Sequence, residues 1–315
     1  MPDPQVHPAA YDGLNRDFYS GEPAQYFEGR LRALLTMVAD PETGLATSSS
    51  SEFLGLRFAY QPDSSTEISR YAAIESTVLL HHTAEALLRL YLGHAQANPC
   101  PWLAVSSLRS FAKFKSAVES LSRDSRTTAR QDDLLEVFSG RADRSSFALS
   151  DEEMDRHRDG LSLALRQAAE IFLEESNIYN ATKHGLAVIA GESAVRITAD
   201  SDPGPGIASS GIALLTLQLS DERRWRRTTN WLHLKRSIML IHLWTELIRS
   251  LWESARIRYL GKGDPTVLRR LDARELQAML AERPDGVLFT EMSWDVPHVD
   301  PSAESQSESG TSGHR

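Results

Sequence analysis

The chain has 315 residues, 41% hydrophobic and 24% charged, which is long and apolar enough to bury a sizeable core. A formal net charge of −9 argues against general adhesion to nucleic acid or anionic membranes, so any nucleic-acid binding needs a local basic patch. The single cysteine, Cys100, excludes an internal disulfide framework and every multi-cysteine zinc site, and fits a reducing, cytoplasmic setting.

Residues 1–22, rich in Pro, Asp, Gly and Tyr without periodicity, read as a flexible arm lacking the basic and apolar segments of a secretion signal. One mainly helical domain is expected over 23–300. Its first helix, about 23–39, carries Tyr26, Leu31, Leu34, Leu35 and Val38 on its apolar face, and TSSSS at 47–51 reads as a flexible connector. Core helices follow at about 67–94 and 101–121. The former opens behind the capping run Asp63-Ser64-Ser65-Thr66 and is apolar around most of its circumference, as befits a helix packed on several sides. Residues 122–133 and 140–146 read as polar loops flanking a short turn at 134–138.

Ser150-Asp151-Glu152-Glu153 resembles a capping box and starts a long helix, 150–184, with Leu161, Leu165, Ala168, Phe172 and Tyr179 as its core stripe. Beyond Gly185 the hydrophobic period changes to two, giving a β element over about 186–219. It is expected as a hairpin of 186–190 with 194–197, a loop at 202–211 and a third strand at 212–219. Ser220-Asp221 opens a further core helix, 221–259. A short helix within 267–282, a last strand at 287–294 and a low-complexity, disordered tail at 301–315 complete the chain. The most apolar window, 237–252, falls short of the roughly 20 residues that a spanning helix needs and contains His242, Glu246 and Arg249, so no membrane span is expected. The expected fold class is mainly α: a helical bundle with a small antiparallel hairpin or three-stranded sheet inserted between the last long helices.

Three constellations carry candidate chemistry. In NIYNATKHGL, at 177–186, Asn177, Asn180 and His184 share one side of a helix, away from the core stripe. A histidine there can serve as general acid or base near neutrality. The run Lys183-His184-Gly185 equally satisfies the rule for an ordinary helix C-terminus, with basic residues in the last turn and glycine after it. The second group, Glu75, His82, Glu85 and Arg89, falls in one sector of its helix. It suits a Glu85–Arg89 ion pair with His82 bonded to a carboxylate at a helix interface, and it shows too few ligands for a metal site. The third is DERRWRRTTNW at 221–231, where Arg223, Arg224, Arg226 and Arg227 with Trp225 could meet a phosphate backbone and stack on bases. Arginines at a helix N-terminus oppose its dipole, which also suggests an acidic partner surface such as Glu170 and Glu174. No cofactor motif is present.

Two of these segments resemble a known family. YAAIESTVLLHHTAEALLRLYLGHA, at 71–95, is similar to the first long helix of the HEPN superfamily, and NIYNATKHGL resembles the end of its later helix, where the active-site histidine lies. The resemblance implies a helical bundle associated with RNA in a defence or stress system, often with its site formed across a homodimer. It offers His184 as the candidate catalytic residue, with Asn177 standing where active members carry arginine; Asn cannot supply that permanent charge. The expectation is a cytoplasmic RNA- or nucleotide-associated binding module. Asn177 and Asn180 would orient His184 or a phosphate, while Lys183, Trp225 and Arg223, Arg224, Arg226 and Arg227 would contact nucleic acid. One alternative is a metal-independent endoribonuclease, in which a base activates the ribose 2′-OH against the adjacent phosphate and leaves a 2′,3′-cyclic end. The other is a protein-interaction scaffold docking a partner through a helix at 225–252.

Overall fold

The computed structural model describes residues 6–39, 49–53, 56–60, 64–95, 98–124, 128–140, 149–183, 188–199, 202–220, 222, 224–261, 271–282, 287 and 290–296. In chain order these form α1 (Tyr11–Phe18), α2 (Pro23–Ala39), β1 (Ser49–Phe53), β2 (Leu56–Tyr60), α3 (Ser65–His94), α4 (Pro101–Ser107), α5 (Phe111–Asp124) and α6 (Thr128–Ser139). Then come α7 (Asp151–Glu174), α8 (Ser176–Lys183), β3 (Val188–Ala199), β4 (Asp202–Leu219), β5 (Trp225–Trp231), α9 (Leu234–Leu260), α10 (Ala273–Ala281) and β6 (Glu291–Asp295). The fold is mainly helical. β1 and β2 pair as a hairpin, and β3-β4-β5-β6 form an antiparallel sheet in sequential order.

The central element is the 30-residue α3. Its start is fixed by a capping box: the Glu67 backbone N–H donates to Ser64 Oγ (3.2 Å), and the Ser64 N–H donates to the Glu67 carboxylate (2.8 Å). Ile68, Leu79, Leu80, Leu87, Leu88 and Leu90 are buried on several sides of it, because α2, α4, α7 and α9 all pack against this one helix. α9 lies along α3 with Trp244 fully buried, and it ends at Gly261, whose φ of 62° is the left-handed stop that glycine reaches without strain. The sheet joins the bundle through one face. Val188, Ala190 and Leu214 cover Ala73 of α3, with Ile178 and Ala181 of α8 beside them.

Several sequence expectations need correction. Part of the supposed arm is ordered: α1 is a helix, Tyr19 is fully buried, and Trp252 Nε1 donates to the Gly21 carbonyl (2.8 Å). Phe18 and Tyr19 pack on Trp252, a long-range contact that local periodicity does not register. Residues 49–51 belong to a hairpin strand. The helix expected at 101–121 is two helices interrupted at 108–110, and 128–139 is helical where a loop and a short turn were expected. The long helix at 150–184 breaks at Glu175 (φ −92°, ψ 10°), which separates α7 from α8.

The largest difference concerns 221–259, expected as one helix. Residues 225–231 form β5, paired along β4 from Leu219↔Trp225 to Ala213↔Trp231, and the helix begins only at Leu234. His233 marks the change, its Nδ1 accepting the Arg236 backbone N–H (3.4 Å). Residues 202–211, expected as a loop, are all strand, since β4 runs for 18 residues from Asp202. The final strand is 291–295, a fourth member of the sheet, and the short helix is 273–281. The tail at 301–315 lies outside the described residues. Among the described residues no helix is long and apolar enough to cross a membrane.

Candidate functional site

α3 and α8, which hold residues 71–94 and 177–183 of the two segments singled out in the sequence, meet. α8 carries Tyr179 and α3 carries the adjacent pair His81 and His82. His82 Nε2 lies 2.6 Å from the Tyr179 hydroxyl, and the His81 ring stacks on the Tyr179 ring at 3.9 Å between centroids. From α2, Arg30 reaches the same place. Its Nη2 donates to Glu75 Oε1 at 2.7 Å and its Nε to the same oxygen at 3.0 Å, while Nη1 stands 3.1 Å from His82 Nδ1 and 3.2 Å from the Tyr26 hydroxyl. The Arg30 and Glu75 side chains are 21% and 33% exposed, so the cluster opens to solvent on the α2 side. Next along α3, Arg89 pairs with Glu85 at 2.7 Å. Lys183, exposed at the end of α8, holds its ammonium 5.6 Å from the Tyr179 ring centre.

Burial, followed by the neighbouring Arg30 charge, lowers the His82 pKa below its ordinary value, so the ring is neutral at physiological pH. His81 is pushed down to about 4, chiefly by burial; the residue is 3% exposed. Burial and the nearby Glu85 charge raise the Tyr179 pKa and keep the phenol protonated. Burial works against the Arg30 charge, but the hydrogen bond and attraction of Glu75 outweigh it and raise the pKa. The site therefore combines neutral rings, two compensated ion pairs and the ammonium of Lys183, which meets no carboxylate among the described residues.

The expected Glu85–Arg89 pair is present, but His82 is bonded to no carboxylate among the described residues. Arg30, entering from another helix, occupies Glu75 and turns its Nη1 to His82. Asn177 and Asn180 are exposed on α8, on the side away from the buried Tyr179 and Thr182. His184 and Arg223 lie outside the described residues. Sequence reasoning placed Tyr179 in the core stripe and passed over Arg30. A buried tyrosine still needs a partner for its hydroxyl, and Arg30 falls inside the buried Phe27-Leu31-Leu34 stripe of α2; both were available signals.

The arginine- and tryptophan-rich segment does not form one patch. On a strand, successive side chains alternate, so Trp225 and Arg227 occupy one face of the sheet and Arg226 the other. Arg224 and Arg226 each approach Asp295 of β6 at 3.4 Å, and the Arg227 guanidinium lies 5.2 Å from the centre of the Trp294 ring. Glu170, considered as their partner, is 3.8 Å from Arg166 on its own helix. Half of the Trp225 face is roofed, with Ala213, Trp231 and Val287 buried together. The other half leaves Ile189, Leu217, Leu219 and Trp225 at least 50% exposed.

No family model, curated protein or solved structure matches the chain.

Proposed function

We propose that this chain is a HEPN-like, RNA- or nucleotide-associated binding module of a cytoplasmic defence or stress system, and that it binds in preference to cutting. The observation that carries the reading is the junction of Tyr179 with His81 and His82, which ties the two family-like segments into one polar cluster beside Lys183. Binding is favoured over cleavage because His82 is neutral and engaged at both ring nitrogens, and because Asn177 stands where active relatives have arginine. The test is anisotropy of a fluorescein-labelled single-stranded RNA across a salt series, with the same samples run on a denaturing gel. Salt-sensitive binding without cleavage is the expected result. Absence of binding at low salt ends this reading. Cleavage that His184→Ala abolishes would replace it with the endoribonuclease alternative.

A second reading, a protein-interaction module, draws on the open half of the sheet. Ile189, Leu217, Leu219 and Trp225 together make an exposed apolar surface of the kind that marks association. Homodimerisation would be one outcome. Light scattering of wild type beside Leu217→Asp tests it, since a dimer formed through this face would dissociate in the variant.

A further inference from the structure

The direction of the hydrogen bonds around His82 assigns a ligand class to the Tyr179 site. A guanidinium only donates, so Arg30 Nη1, 3.1 Å from His82 Nδ1, faces a ring nitrogen that carries no proton. A neutral imidazole then holds its single proton on Nε2. That N–H donates to the Tyr179 oxygen, 2.6 Å away. The Tyr179 hydroxyl hydrogen is therefore not used by His82, and it has no acceptor among the described residues. Arg30 is itself fixed by two hydrogen bonds to Glu75, so the chain Glu75–Arg30–His82–Tyr179 runs one way and ends on an uncommitted O–H donor.

Charge accounting at the same place selects what that donor meets. Arg30 neutralises Glu75 and Arg89 neutralises Glu85, each pair at 2.7 Å. Lys183, close over the Tyr179 ring, is left as the one cation of the cluster without a carboxylate among the described residues. A protonated phenol, and an ammonium over its ring that meets no carboxylate among the described residues, suit an acceptor-only anion and offer nothing to a metal cation.

We propose that Tyr179 and Lys183 form an oxyanion site for a phosphate group, Tyr179 donating its O–H to one oxygen and Lys183 supplying the charge, with His82 and Arg30 as positioning residues. This rests on the RNA- or nucleotide-associated reading above for its biological ligand, but the site is defined by phosphate itself. Phosphate could reach it as free anion or as part of a nucleic-acid backbone, and the two sources are separable.

The experiment is an NMR titration of the full chain with inorganic phosphate, and with the nucleoside uridine as the phosphate-free control, followed by RNA anisotropy on the same variants. Phosphate should shift the signals of Tyr179 and Lys183, and uridine should not. Tyr179→Phe keeps the ring and removes only the hydroxyl, and should weaken phosphate roughly tenfold, the scale of one hydrogen bond to a charged group. Lys183→Gln should weaken it comparably, and because Lys183 is exposed this variant guards against a folding defect in the first. Wild type unmoved by phosphate, or Tyr179→Phe binding phosphate as wild type does, overturns the proposal. Phosphate bound through Tyr179, with RNA bound equally by wild type and Tyr179→Phe, assigns the site to the free anion and leaves the RNA reading standing. Phosphate bound through Tyr179 by a chain that binds no RNA keeps the site and discards that reading.

Discussion

Tyr179 lies flat on His81, with the two ring planes within 3° of parallel and their centroids 3.9 Å apart. The same tyrosine turns its hydroxyl to His82, so one side chain closes the α3–α8 contact by stacking and by a hydrogen bond. These two contributions separate by mutation. Tyr179→Phe should cost about 1 kcal/mol of stability, the worth of a typical hydrogen bond. Tyr179→Ala should cost about 3 kcal/mol or more, because it also opens a cavity over His81. Urea unfolding of both variants checks this; equal losses would show that the stack contributes nothing.

Acid should destabilise the fold through its buried histidines. His81, His94 and His157 all titrate near 4 in the folded chain, against 6.5 ordinarily, chiefly because burial penalises the charged form. Between those values the unfolded chain binds more protons than the folded one, so stability is fully present above about pH 6.5 and falls as the pH drops toward 4. His157 accepts the Leu271 backbone N–H at Nδ1, a role that an amide oxygen can take. His157→Asn should therefore flatten the pH dependence of Tm across this window; an unchanged slope would remove His157 from the account.

One turn after His157, Gly160 is held against the same residue. A Cβ at position 160 would stand 2.5 Å from the Leu271 carbonyl oxygen, and a backbone oxygen cannot swing aside as a side-chain tip can. Overpacking of this kind typically costs about 1–3 kcal/mol, more than the helix propensity that alanine adds. Gly160→Ala should lower Tm, and a rise would mean that α7 and Leu271 separate easily.

Arg30 should control the titration of His82. After burial, its charge is the next cause of the lowered His82 pKa, and it also keeps Glu75 occupied. Arg30→Met retains much of the apolar stem and removes the charge, so the His82 pKa should rise toward 6.5 without reaching it, because the burial remains. NMR titration of the His82 ring protons reads this directly. A value unchanged from wild type would show that Arg30 does not govern the ring.

The sequence by itself determined the main helices and the class of the fold. α3 and α7 each begin with a Ser-x-x-Glu box that fixes the local hydrogen bonds, and the change of period after Gly185 announced a sheet. It misread 225–231 because arginine and tryptophan fit a helix or a strand equally well. Pairing with β4 across Leu219↔Trp225 decided for the strand. It also missed α1, because Phe18 and the following Tyr19 find their partners on α3, α4 and α9, far along the chain. Within the candidate site, the sequence supplied Glu75, His82, Glu85, Arg89 and Lys183 as residues, and correctly paired Glu85 with Arg89, because that spacing lies within one helix. Only the tertiary structure could bring Arg30 from α2 and Tyr179 from α8 to the two nitrogens of one imidazole. Those hydrogen bonds span 52 and 97 positions of the chain, and a periodicity argument reaches no further than its own helix.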